Sequence, residues 1–169
     1  MLDAGCGTGW CIPYLAHAVG AGGKVIGFDP SAEMLAIARH RLAQAGVNNA
    51  LLLASDTVDI ELPHAPHAIL FSYTHDLLQS RAALDRVFAQ AASGARVVAC
   101  GTKRFPALLW PANVYQRYSH RHYITAFEGL NCPWALLATY LEGFRVDSVF
   151  PGNKYLASGR LPRRDAHCA

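Results

Sequence analysis

Asp3, Gly5, Gly7 and Gly9 stand on alternate positions in the stretch Met1-Leu2-Asp3-Ala4-Gly5-Cys6-Gly7-Thr8-Gly9-Trp10, and Asp29 follows about 20 residues beyond that turn. Glycines so spaced let a strand turn sharply into a helix while bare backbone approaches a bulky ligand that Cβ atoms would block. A carboxylate at the distance of Asp29 accepts hydrogen bonds from ribose hydroxyls in nucleotide-binding βαβ units. Together the two signals describe a nucleotide-binding turn; Asp29 alone reads as well as a helix cap or turn residue. A dinucleotide fingerprint, G-x-G-x-x-G, would need a third glycine where Trp10 stands, so the pattern D-x-G-x-G-x-G points away from a pyrophosphate ligand. Farther along, Tyr73 and His75 follow an apolar run. A tyrosine face attracts cations and a histidine takes up a proton near neutral pH, so these two are the candidate catalytic residues.

Such residues need elements to hold them. Ile12, Leu15, Ala16 and Val19 recur at helical spacing, Pro13 being tolerable in a first turn, and Gly20, Gly22 and Gly23 end that helix. A short buried strand over 24–29 finishes on Asp29. Ser31 is a good N-cap for a second helix, with Met34, Leu35, Ala38, Leu42 and Ala45 on its apolar face and Gly46 closing it. Further strands are expected over 50–54, 67–73 and 96–100, with a loop over 58–66 and a helix from about 80 to 92 between them. This alternation marks an α/β fold with a doubly wound, mostly parallel sheet, whose ligands bind beyond the carboxyl ends of the strands. Asp29, Ser55, Asp56 and the residues from Tyr73 to Asp76 all lie at that edge. An aromatic, histidine-bearing insertion over about 103–130 breaks the alternation. Asn131 is then expected to cap a helix running to Gly143, and strands over 144–150 and 155–159 around Pro151-Gly152-Asn153 form an antiparallel hairpin.

The glycine turn, the phrase Asp29-Pro30-Ser31-Ala32-Glu33-Met34-Leu35, Asp56 and the closing hairpin agree in order and spacing. From Asp3 to about Gly159 the chain resembles the class I S-adenosylmethionine-dependent methyltransferases, a Rossmann-like fold. The resemblance implies that the loop carrying Asp3, Gly5, Gly7 and Gly9 receives the methionine part of S-adenosylmethionine and that Asp29 holds the ribose. It implies that Asp56, next to Ser55, accepts from the adenine amino group, though an Asx-turn is the alternative there. Met34 packs against the adenine or serves as core. The implied reaction moves a methyl group to a small-molecule or lipid-headgroup acceptor; the stretches 127–134 and 155–159 look faintly like bacterial methyltransferases acting on amino headgroups of lipids. Tyr118, His120, His122 and Tyr123 in the insertion are candidates for the acceptor pocket, since insertions after the fifth strand can fold back over the ligand edge. Residues 115, 118 and 122 are equally compatible with one helix face packed on the sheet. A nicotinamide-dependent oxidoreductase and a catalytically silent binding module are the rival functions.

Composition sets outer bounds. A chain of 169 residues, 52% hydrophobic, suits one domain, here over 1–160 with a flexible tail over 161–169. A net charge of +3 spread along the chain leaves no nucleic-acid footprint. The cysteines are odd in number, 5 in all, without a C-x-x-C pair, which argues against a disulfide framework or a metal site and for a reducing cytoplasm. No signal peptide or membrane span is expected, and oligomeric state is left open. Only Met1 and Leu2 precede Asp3, so the central first strand is expected to be nearly absent and its neighbours partly unpaired, as in a fragment or a start site assigned too late. Such a chain would be prone to aggregate.

Overall fold

The computed structural model of the chain describes residues 1–104, 130–149 and 152–164. The apolar runs become strands of one sheet in the order β3-β2-β1-β4-β5-β7-β6. Five strands, β1 (Leu2–Ala4), β2 (Val25–Asp29), β3 (Ala50–Ala54), β4 (Ala68–Ser72) and β5 (Arg96–Thr102), pair in parallel, and β6 (Glu142–Val149) and β7 (Lys154–Arg160) add an antiparallel hairpin. The helices among the described residues are α1 (Ile12–Val19), α2 (Ala32–Gln44), α3 (His75–Gln79), α4 (Arg81–Ala89) and α5 (Ala135–Ala138).

Two apolar clusters cover the sheet. One joins Ile12 and Ala16 of α1 to Leu35 and Leu42 of α2 over Val25 and Cys6. The other joins Leu84, Val87 and Phe88 of α4 and Leu137 of α5 to Leu2, Phe28, Ile69, Phe71 and Val97. The ring of Phe88 meets Phe71 and Tyr140 edge-on, centroids 6.1 Å and 5.3 Å apart.

The first strand is short, as expected: β1 has three residues against five each in β2 and β4. Its three residues pair on both sides, Leu2 to Ala4 lying opposite Ile26 to Phe28 in β2 and Ile69 to Phe71 in β4. Leu2 and Ala4 are fully buried and Asp3 is 2% exposed, as a strand covered on both faces requires. Only the end residues of β2 and β4 lie outside this register, and the amide of Val25 is taken up by the carbonyl of Asn49 at 3.0 Å.

Two expected helices differ. The run after β4 is two helices rather than one: α3 precedes the capped start of α4, where the Ser80 hydroxyl accepts from the Ala83 amide at 3.2 Å. Asn131 caps nothing. The helix expected from it is only α5, with Trp134 at its N-cap, because the chain must enter β6 at Glu142 to pair with Arg160. The loop over 58–66 is irregular as expected but anchored, the Ile60 carbonyl accepting from Arg86 Nε at 3.0 Å and Gln90 Nε2 at 2.9 Å. Among the described residues, no helix is long and apolar enough to cross a membrane.

Candidate active site

Beyond the carboxyl ends of the parallel strands lies a cleft of about 560 Å³, within the roughly 300–1,000 Å³ of small-molecule sites. Its floor is the loop after β1. There the Cys6 amide donates to the Phe28 carbonyl at 2.9 Å, and the Gly9 amide closes a turn on the Cys6 carbonyl at 2.8 Å. The Gly7 amide donates to Asp29 Oδ2 at 2.9 Å, while Asp29 Oδ1 accepts from the Ser31 amide at 2.9 Å. The Ser31 hydroxyl in turn accepts from the Met34 amide at 3.2 Å, capping α2. One carboxylate thus ties the glycine loop to the start of α2, and each of its oxygens keeps a lone pair for a ligand.

The three glycines serve different steric needs. A Cβ on Gly5 would sit 2.6 Å from Thr74 Cγ2, and one on Gly9 would sit 2.9 Å from Ala38 Cβ in α2, so both let elements approach closely. A Cβ on Gly7, where φ is +51°, would meet no protein atom within 4 Å. The space it would enter is the cleft. Trp10, where a dinucleotide site would want glycine, lies 65% exposed under the guanidinium of Arg41 at 4.7 Å. Arg41 also donates to the Thr8 carbonyl and to Thr8 Oγ1, clamping the far side of the loop.

The opposite wall comes from β4, β5 and β7. Tyr73 is held at φ 59°, a left-handed conformation rare for a bulky residue, with its amide on the Cys100 carbonyl at 2.9 Å and its ring largely exposed. His75 opens α3 beside it, and Thr74 Oγ1 is buried without a hydrogen-bond partner. Tyr155 reaches in from β7 over Gly101, whose bare Cα leaves room for the ring: an added Cβ would lie 3.3 Å from it. Burial, with a smaller effect from Cys100, pushes the Tyr155 phenol well above its usual range.

A sequence model of a methyltransferase domain matches residues 1–96, more than half of the 169. The chain belongs to this methyltransferase domain family. Solved structures share the fold of the domain. A SAM dependent methyltransferase from Aquifex aeolicus is 23% identical with a TM-score of 0.64, covering 95% of this chain and 80% of that one. The N-methyltransferase NodS from Bradyrhizobium japonicum WM9, in complex with S-adenosyl-l-homocysteine, is 16% identical with a TM-score of 0.65, covering 96% and 77%. An rRNA methylase from Streptococcus thermophilus is 15% identical with a TM-score of 0.60, covering 96% and 86%. These likenesses are of fold.

In this methyltransferase domain, Gly5, Gly7, Asp29, Met34, Asp56, Tyr73 and His75 line one cleft. Met34 is 43% exposed there, so it is not a core residue. Three expected binding residues stand back from the cleft. Gly9 packs on Ala38, Ser55 turns its hydroxyl to the Asp56 carbonyl at 2.9 Å, and Asp3 lies buried beneath the loop. Tyr118, His120, His122 and Tyr123 lie outside the described residues. Thr57, Leu130 and Tyr155 line the cleft without having been expected. Gly101 inside β5 was the available signal for Tyr155, since a glycine within a strand marks a close approach.

Proposed function

We propose that this domain binds S-adenosylmethionine in the cleft and directs its methyl group to a small-molecule or lipid-headgroup acceptor. The observation that carries the reading is the bond from Gly7 to Asp29: it brings the bare backbone of the loop and the ribose-type carboxylate to one cleft. The residues fit the group. Gly7 leaves space that a Cβ would fill, Asp29 keeps lone pairs for ribose hydroxyls, Asp56 can accept from the adenine amino group, and Met34 offers an apolar face. Thr74 Oγ1, in the cleft lining, is buried without a partner, which suits a polar amino-acid moiety beside the loop. When bound, the sulfonium supplies an activated methyl. The chain's own contribution is positioning and exclusion of water. His75 is placed to take a proton from an acceptor that carries one, with the Tyr73 ring beside it. Free Cys6, Cys11, Cys100 and Cys132 support a reducing, cytoplasmic setting. Against a nicotinamide dinucleotide stands the lining itself, which among the described residues holds Asp29, Asp56 and Asp76 and neither lysine nor arginine to meet a pyrophosphate.

Two substitutions test the assignment. Asp29→Ala should weaken S-adenosylhomocysteine binding by about 1.5–3 kcal/mol, the usual value for hydrogen bonds to a charged acceptor; unchanged affinity by calorimetry removes Asp29 from the site. His75→Ala should lower turnover at least tenfold, about 1.4 kcal/mol in the barrier, with cofactor affinity intact. Full turnover on an identified acceptor would take His75 out of the chemistry, and no turnover by the unsubstituted chain on any acceptor would favour the silent module.

A further inference from the structure

We propose that the chain forms a symmetric dimer by pairing the outer edge of β6 with that of a second copy, antiparallel and centred on Val146. In the order β3-β2-β1-β4-β5-β7-β6 the last strand has β7 on one side and, among the described residues, no strand on the other. Such an edge leaves a row of backbone N–H and C=O groups open to another chain, and proteins ordinarily guard it with short length, lysine, proline, a bulge or a covering element. β6 is 8 residues long and has neither lysine nor proline. Its one irregularity against β7 falls between Glu142 and Arg145, where Gly143 is held at φ +60°. Beyond that bulge the strand is regular, and Arg145, Asp147, Ser148 and Val149 are exposed.

The side chains choose the partner. Val146 and Ser148 lie opposite Ala157 and Tyr155 of β7, both buried, so they share the face packed on the core. Arg145 and Asp147 lie opposite Ser158 and Leu156 on the other face, and neither makes an ion pair with another described residue. A two-fold axis perpendicular to the sheet keeps the two core faces on one side, so only residues of the same face can meet across the new edge. Centred on Val146, the pairing sets Arg145 of each copy against Asp147 of the other, and Phe144 against Ser148. Centring it one residue either way would set Arg145 against Arg145 or Asp147 against Asp147. Opposite charges directly across two strands stabilise the pair and like charges destabilise it, so one register is favoured. An unrelated strand would need the matching charges at the same spacing; a second copy has them by symmetry. At the other edge of the sheet β3 reads Ala-Leu-Leu-Leu-Ala, with no charge to set a register.

The dimer leaves the cleft accessible. β5 and β6 both run antiparallel to β7 and therefore parallel to each other. Reversal of β6 across the axis sends the two clefts to opposite ends of one continuous sheet, where neither closes the other.

Sedimentation equilibrium of the whole chain over a range of concentrations tests this, and a reversible monomer–dimer equilibrium is expected. Arg145→Asp sets carboxylates against carboxylates across the axis, and Asp147→Arg sets guanidinium groups against each other, so each should weaken the dimer by about tenfold or more. The double variant, Arg145→Asp with Asp147→Arg, exchanges the charges and should return the dissociation constant to within about threefold of the parent. Both side chains are exposed, so the circular dichroism of every variant should match the parent. Hydrogen exchange gives a reading that needs no variant: amides within 144–148 should be better protected at high protein concentration than at low. A chain that stays monomeric at every concentration, a dimer indifferent to either single reversal, a double variant no tighter than the singles, or protection of 144–148 that ignores concentration overturns the proposal.

Discussion

Gly7→Val is expected to abolish cofactor binding while leaving the fold in place. The Cβ at this position meets no described protein atom within 4 Å and the residue lines the cleft, so the new side chain is expected to take up cleft space. A ligand lying on the loop loses that volume and its close approach to the backbone. The expected loss in S-adenosylhomocysteine affinity is several hundredfold, about 3.5 kcal/mol or more at roughly 1.4 kcal/mol per factor of ten. The backbone cost is separable. Gly46, just beyond α2, has a φ of +65° and equally open surroundings, and it does not line the cleft. Gly46→Val should therefore show the same stability loss, about 1–2 kcal/mol for a left-handed residue with a Cβ, and normal cofactor affinity. Equal affinities in the two variants would move the ligand off the loop.

Asp3 gives the second large effect, on stability against pH. Burial in the middle of the sheet, at 2% exposure, pushes its carboxyl from 3.8 up to about 7, and Oδ1 has no partner. The folded state therefore holds a proton that the unfolded chain gives up near pH 4. The contribution of Asp3 is fully present below the unfolded value and is lost as pH rises toward 7 and through it, an effect on the order of 4 kcal/mol if the whole shift is realised. Urea unfolding of the free protein at pH 5 and pH 8 reads it. Asp3→Asn should remove most of the decline seen in the parent chain. If the parent shows no loss between those values, or if the variant declines equally, the carboxyl is solvated or paired and the buried-acid description fails.

How much of this was legible in advance depended on range. The glycine turn and Asp29 were readable because local backbone geometry dictates their spacing, and Ser31 and Ser80 because a cap is a local device. Met34 was ambiguous between core and cleft, since its helix face is set by what packs on it. Tyr155 was hidden: it joins the site across β5, and the only local trace of it is Gly101. The expected cap at Asn131 failed for a tertiary reason, the hairpin claiming the chain from Glu142. The short α3 carries His75 and Asp76 and went unseen because its N-cap, Thr74, makes no capping bond and five residues show little periodicity.

In the proposed function the cleft over the glycine loop takes S-adenosylmethionine. Calorimetric titration of S-adenosylhomocysteine into the protein, beside a parallel titration of NADH and both repeated on Asp29→Ala, tests it most directly. Saturable single-site binding of S-adenosylhomocysteine, none of NADH, and a loss of about 1.5–3 kcal/mol in the variant are expected. Tight NADH binding, or S-adenosylhomocysteine affinity that ignores the loss of the Asp29 carboxylate, would contradict it.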